Sequence, residues 1–523
     1  MRLLLLLLLA FTVANTHKIL VYNLKFAHSH SNFLGNIADI LEDAGHDVTT
    51  LIPEVGTTIK DGSTKAKVIR IPPNPEAAAV LEKMNTGEID VLQFSELNPL
   101  VAYMMSREVG TMFYKQCETT LDSKIYEKLQ KDKYDVYIVE TFDICGMMLA
   151  HLIKPRSTIK ISTTILFGEQ FEELGVPLPL SYNPSALTRS LEVHSFYSRL
   201  WNLYAEQIER LTLSNVRRDV QILFKNRFGE DFPTLREITA NVSYVFTNSE
   251  PLIDFAAPTL NRVIDIGGLG AKEPKKLDEY WSSVLTRRPK TVLISLGSMA
   301  KSYLLQPTVK AAFVKVCTTF PSVTFIWKYE KKDEFALGDA AKIENLVLTD
   351  WMPQNDILNH PNLAVFITHG GMGSVQELTL RGKPAILIPI FGDQPRNAAM
   401  IEHNKLGKVL SKLEVGNAEK MIGLLKELME NPVYAQNSAR VSRMLAKKPF
   451  SSKEKLLKYV DFAAEFGPSS ALRPQSVDMT FIEYHNLDII FVGLILSAAI
   501  SYLLLYTVLY LAKRIMLGKV KNE

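Results

Sequence analysis

Cysteine is scarce in this chain: Cys117, Cys145 and Cys317 are the only three in 523 residues. Few, far apart and odd in number, they exclude a disulfide framework, and no pair has the spacing of zinc ligands. Each reads instead as a small buried hydrophobe. An excess of one charge is missing as well. Lys and Arg number 59 against 56 Asp and Glu, a formal net charge of +3. No basic cluster is dense enough to follow a phosphate backbone, so nucleic acid is not an expected partner. Low-complexity tracts are absent, and 47% hydrophobic with 22% charged residues is a globular composition. At this length two domains are the default.

Long apolar runs occur only at the two ends. Met1 and Arg2 precede an apolar stretch over residues 3–11, followed by Thr12, Val13 and Ala14. One positive charge, a short apolar core and a small-x-small cut site predict a secretory signal peptide over residues 1–16. Residues 489–512 form an uncharged, mostly apolar run, with Lys513 and Arg514 directly after it. At about 1.5 Å per residue this run is long enough to cross a hydrocarbon core of about 30 Å. Positive charge on its far side puts residues 513–523 in the cytosol. The expected topology is a single-pass type I membrane protein with its body in the secretory lumen. Lys519 and Lys521 resemble a di-lysine retrieval signal, which points to the endoplasmic reticulum; a plain stop-transfer cluster is the other reading. Asn241-Val242-Ser243 is a glycosylation sequon, so a glycoprotein is expected.

Between the ends, strand and helix patterns alternate. Residues 18–23 and 47–52 read as buried strands flanking a helix over 33–44, and residues 135–139 as a further strand. The pattern weakens between about residues 178 and 277, where longer helical stretches intervene. It resumes with apolar runs at 291–295, 323–327, 346–348, 364–368 and 385–389. Such alternation predicts α/β architecture with mostly parallel sheets covered on both faces. We therefore expect an N-terminal domain over 17–271 and a C-terminal domain over 285–445. Returning helices and a membrane-proximal segment would occupy 446–487.

The loops after successive strands of the second domain carry a dense polar set. Trp351, Pro353 and Gln354 follow one strand. His369, Gly370, Gly371, Gly373, Ser374 and Glu377 follow the next, and Asp393 and Gln394 a third. Glycines at a strand-to-helix turn let a ligand approach the backbone, and a helix starting near Ser374 would present N–H groups to a diphosphate. Residues 351–394 resemble the signature of the UDP-dependent glycosyltransferases, the family of UDP-glucuronosyltransferases and plant UDP-glucosyltransferases. The resemblance continues through Ser298 and the C-terminal span. It implies the GT-B fold: two doubly wound Rossmann-like domains facing a cleft, plus one transmembrane helix.

By that resemblance Trp351 stacks on uracil, Gln354 and Glu377 hold the ribose, and Ser298, His369, Gly371 and Ser374 line the phosphates. Asp393 and Gln394 bind hydroxyls of the transferred sugar. Plainer readings stand beside these. Trp351 is then a core aromatic, Ser374 and Glu377 are a capping box, and Asp393-Gln394 is a turn or helix start. The family often has Asn where this chain has Gly373. Sugar transfer to a hydroxyl needs a base. His30, oriented by Glu140, is the expected pair, with His28 and Asp143 as alternatives. Many relatives have Asp in place of Glu140. No Asp-x-Asp motif occurs, so neither a metal nor any other cofactor is expected. The expected reaction transfers a sugar, glucuronic acid first and glucose second, from its UDP donor to small lipophilic acceptors with inversion. Rival readings are a sugar epimerase and a non-catalytic UDP-sugar-binding protein. A homo-oligomer is left open.

Overall fold

The computed structural model describes residues 16–87, 95, 97–189, 191–271, 273–298 and 300–520; most of the expected leader and the end of the tail lie outside these. The chain forms two units, Met1–Leu472 and Arg473–Glu523.

The larger unit contains two parallel sheets. The first is seven-stranded: β1 (Lys18–Tyr22), β2 (Asp47–Pro53), β3 (Lys67–Ile71), β4 (Val136–Glu140), β5 (Ser157–Ser162), β6 (Tyr244–Thr247) and β7 (Val263–Asp265), in the order β3-β2-β1-β4-β5-β6-β7. The second is six-stranded: β8 (Lys290–Ser295), β9 (Val323–Lys328), β10 (Leu346–Thr349), β11 (Leu363–Thr368), β12 (Ala385–Leu387) and β13 (Gly407–Val409), in the order β10-β9-β8-β11-β12-β13. The central strands are apolar on both faces, as helix-covered parallel sheets require. All five residues of β4 are buried, and β8 is buried from its second residue onward. Phe325, Trp327, Val365 and Ile367 pack one face of the second sheet. Each such fully buried side chain contributes roughly 1.5–3 kcal/mol.

Strand order reverses between β1 and β4 in the first sheet and between β8 and β11 in the second. At such a switch point the loops leave in opposite directions and open a crevice at the strands' carboxyl ends. Each sheet therefore has one built-in binding position. Helix Ser452–Phe466, closed at its start by a Ser451–Glu454 capping box, returns to the first sheet. Its Leu456, Val460, Ala463 and Ala464 pack against Ile19, Val21, Val136 and Ile138.

Three sequence readings need correction. The first helix runs His28–Asp43, so it starts before residue 33 and takes in both histidines. Its N-cap is Ala27, which makes no side-chain cap bond, and no capping residue therefore advertised its start. The weak region at 178–277 hides β6 and β7, of four and three residues, too short for a periodic signal. The longer helical stretches expected there are present, the 33-residue helix Phe196–Phe228 among them. Finally, Cys117 and Cys145 are a disulfide, and only Cys317 is a free buried thiol. The bridge ties helix Pro99–Asp122 to helix Ile144–Ile153, a proximity that tertiary packing creates and spacing does not.

In the second unit, helix Leu487–Val520 carries an apolar segment, Leu487–Met516, of 30 residues, within which a stretch of 18 reaches a mean hydropathy of 2.4 and has no buried part. It is long and apolar enough to cross a membrane.

Candidate active site

The first crevice is built by three adjacent strands. After β1, Asn23 turns the chain by donating from its amide to the carbonyls of Ser31 and Asp61, at 3.3 and 3.1 Å. The first helix then lies directly on the loop at 61–63. A Cβ on Gly35 would sit 2.1 Å from the Gly62 carbonyl carbon, and one on Gly62 (φ +83°) 1.9 Å from the Ser31 oxygen. Only glycine permits that approach, which fixes the helix's first turn and His30 within it. Glu140 ends β4, the neighbour of β1. His30 Nδ1 lies 2.8 Å from Glu140 Oε2 and 2.9 Å from Oε1. Thr163, just beyond β5, adds a hydroxyl 2.9 Å from the same Nδ1 and donates to Glu140 Oε1.

A carboxylate on Nδ1 selects the tautomer whose lone pair is on Nε2, the form a proton acceptor needs. Burial pushes the His30 pKa down. Glu140, by charge and hydrogen bond, and then Asp393 of the second half outweigh it and hold the imidazole above its ordinary value. Rings surround it: Phe26 at 4.7 Å and Phe142 at 5.8 Å between centroids, backed by Phe113 and Phe167. The two alternatives are occupied differently. His28 is held below its ordinary value by burial and by Lys301, Lys328 and Lys60. Asp143 caps helix Ile144–Ile153 by accepting from the Gly146 N–H at 2.9 Å. Burial pushes its carboxyl up to about 7.

The second crevice is shaped by glycine. Beyond β8, Gly297 (φ +89°) lies against the His369 ring that follows β11; a Cβ there would come within 2.6 Å of it. A Cβ on Gly371 would come within 2.5 Å of His369 Nε2 as well. His369 is thereby clamped, and burial together with Lys328 pushes it down to about 4, so it is neutral. Helix Met372–Arg381 has Gly371 as N-cap. Ser374 is thus its third residue, and the capping-box reading fails. Glu377 instead accepts from Gln354 Nε2 at 2.6 Å, joining the two residues expected at the ribose. Trp351 is 75% exposed, which excludes a core aromatic. Ser298 lies in the same loop as Gly297, half-buried.

Asp393 precedes helix Gln394–His403 and accepts from Asn397 Nδ2 at 2.7 Å. Burial raises its carboxyl, against the pull of Asn397, His30 and Arg396. The Gln394 side-chain oxygen, Oε1, accepts from the Ile390 and Phe391 N–H groups at 2.8 and 3.2 Å.

Sequence reasoning missed Thr163, Asn397 and Lys328. Asn397 also donates to the Gly370 carbonyl at 3.0 Å, joining two loops of the second crevice. Neither it nor Thr163 stands in a telling pattern. Lys328 ends β9, donates to the Gly297 carbonyl at 2.7 Å and is pushed down first by burial. A lysine closing an apolar strand at its carboxyl end was a readable signal, because that is the ligand-facing edge.

A family model described as UDP-glucoronosyl and UDP-glucosyl transferase matches residues 17–522. A Caenorhabditis elegans protein named as a UDP-glucuronosyltransferase, ugt-48, is 31% identical over 91% of this chain and 92% of its own length. Human UDP-glucuronosyltransferase 3A2 is 28% identical over 88% of this chain and 87% of its own. Among solved structures, Phytolacca americana UGT2, complexed with UDP-2fluoro-glucose and pterostilbene, is similar with a TM-score of 0.55 at 15% identity, over 86% of this chain and all 100% of that one. The kitacinnamycin glycotransferase gives 0.57 at 16% identity, over 87% and 100%. These structures share the two-sheet GT-B fold.

Proposed function

The chain belongs to the UDP-glucuronosyl and UDP-glucosyl transferase family, is a UDP-glycosyltransferase of GT-B fold, and from that premise we propose that it transfers glucuronic acid to small lipophilic acceptors. The observation that carries this reading is the His30–Glu140–Thr163 cluster at the first switch point, close enough to Asp393 of the second for their charges to interact. The acceptor hydroxyl sits among Phe26, Phe142 and Phe167, which favour an apolar, flat molecule. Its oxygen attacks C1 of the sugar while His30 Nε2 takes its proton. The C1–O bond to UDP breaks on the opposite face, so an α-linked donor gives a β-product. Glu140 stabilises the imidazolium that forms.

On the donor side Trp351 supplies a face for uracil, and the Gln354–Glu377 pair meets the ribose. Ser298, Ser374, the free N–H groups of helix Met372–Arg381 and the His369 ring meet the diphosphate. Lys328 adds the positive charge that neutral His369 lacks. Asp393 and Gln394 hold the hexose. This arrangement calls for no metal and no cofactor beyond the donor. The Cys117–Cys145 disulfide favours an oxidising compartment and so supports a body in the secretory lumen, with residues 513–523 in the cytosol. Asn241, exposed at the end of helix Leu235–Ala240, is open to glycosylation there.

UDP release from UDP-glucuronic acid and from UDP-glucose, measured against a panel of phenols and alcohols with product anomers read by NMR, tests the proposal. Faster release from UDP-glucuronic acid with β-product is expected. A preference for UDP-glucose overturns the sugar assignment, an α-product overturns direct displacement, and no release overturns the acceptor class.

A further inference from the structure

Arg396 lies in the helix that starts at Gln394, directly after Asp393, yet its side chain, only 6% exposed, is spent on the other half of the molecule. Nη1 pairs with Asp254 Oδ1 at 2.6 Å, Nε donates to the Pro184 carbonyl at 3.1 Å, and Nη2 donates to Asn183 Oδ1 at 3.2 Å. Its backbone N–H donates to the Ala186 carbonyl at 3.2 Å. The guanidinium also stands 5.3 Å from the centre of the Phe255 ring. All five contacts are made to residues 183–186 and 254–255, which belong to the half that holds His30.

Those residues are themselves pinned from behind. Asn202, fully buried on helix Phe196–Phe228, donates to the Asn183 carbonyl at 2.8 Å and accepts from the Ser185 N–H at 2.9 Å and the Thr188 hydroxyl at 2.6 Å. Glu209 of the same helix accepts from the Ala186 N–H at 3.0 Å. A second tie runs parallel, from Asn404 Nδ2 to the Ile253 carbonyl at 2.7 Å. Arg396 is therefore the point at which the turn before its helix is fastened to a rigid part of the opposite half. A guanidinium suits this role because its fixed fork of donors defines an orientation, whereas an ammonium supplies only a point charge.

We infer that Arg396 is a positioning residue for the transferred sugar: it fixes the Asp393–Gln394 turn against the His30 half, so that donor hexose and base keep one spacing. The inference rests on the reading that Asp393 and Gln394 hold the hexose. It predicts a split between the two parts of the donor, because uracil, ribose and diphosphate are met by residues 298–377, which Arg396 does not touch.

The test uses the full-length protein in lipid nanodiscs, with Kd measured for UDP alone and for whichever of UDP-glucuronic acid and UDP-glucose binds the wild type tighter. Arg396→Met should leave the Kd of UDP within about twofold and raise that of the UDP-sugar about tenfold, with Arg396→Lys in between. Asp254→Asn, which keeps the arginine, should move the UDP-sugar in the same direction by less, and it decides the matter if Arg396→Met does not fold. Unchanged binding of both ligands, or equal weakening of both, overturns the inference, since a merely structural role gives no split. Asp393→Asn separates the two levels. If it leaves the UDP-sugar Kd unchanged, the hexose assignment fails; if it weakens the UDP-sugar while Arg396→Met and Asp254→Asn do not, only the positioning role fails.

Discussion

At the switch point of the first sheet, three side chains at the carboxyl ends of three adjacent strands, or in the helix that follows, converge on one another. His30, Glu140 and Thr163 form a closed set of hydrogen bonds walled by phenylalanines. At the switch point of the second sheet the site is made by what is left out. Gly297 and Gly371 clamp His369, Gly370 (φ +82°) turns the backbone, and one helix start and one lysine supply positive character. The topology is the same, but the materials suit different tasks. Proton transfer needs a side chain with a tuned pKa, whereas holding a diphosphate needs close backbone approach and fixed dipoles. Substitutions on the first side should therefore change turnover, and those on the second should change donor affinity.

The largest expected break is on the first side. His30→Ala should lower kcat by roughly 10²–10⁴-fold, the usual contribution of a positioned base, with the Kd of UDP unchanged. Loss of UDP binding in that variant would blur the division. Next comes Trp351→Ala, which removes the exposed platform. With stacking at about 1–3 kcal/mol, KM for the UDP-sugar should rise roughly ten- to hundredfold at nearly constant kcat. A fall in kcat with KM unmoved would place Trp351 elsewhere in the cycle.

Smaller effects sharpen the picture. Replacing Cys117 and Cys145 together by Ser removes a cross-link spanning 28 residues, worth about 3–4 kcal/mol in the chain-entropy model. Thermal inactivation should come at a lower temperature while the Kd of UDP stays put, because the bridge lies wholly in the first half. The smallest effect is at Gly373. It is exposed at the second position of its helix, and an added Cβ meets nothing within 4 Å. Packing therefore does not demand glycine there. Gly373→Asn should be tolerated and lower KM for the donor by about two- to fivefold, the scale of one added hydrogen bond. A raised KM would mean that the bare backbone is itself the contact.

The same contrast explains what was legible in the sequence. Backbone-built sites announce themselves in local pattern, so the glycine and polar loops that line the second crevice at residues 351–394 could be picked out from the sequence. Lys328 escaped because it stands one strand away from that block. The strands were readable where apolar runs are long, and β6 and β7 were lost because they are short. Side-chain sites are assembled from distant segments. His30 and Glu140 are 110 residues apart, and they were paired only through the sheet edge their loops share and through family resemblance. Thr163 had no such guide. The Cys117–Cys145 bridge and the Arg396 contacts were invisible for the same reason: tertiary packing, and no local rule, brings their partners together.

The pH dependence of kcat/KM, in wild type and in Glu140→Gln, tests the central claim most directly. Glu140 is a main reason the His30 pKa lies above its ordinary value, about 6.5. A base must be neutral to accept a proton, so activity should fall as pH drops through that raised value. Removing the carboxylate's charge leaves burial to dominate and should carry the acidic limb to lower pH. An acidic limb that stays in place in Glu140→Gln would contradict the account, because the group titrating there would not be a histidine paired with Glu140.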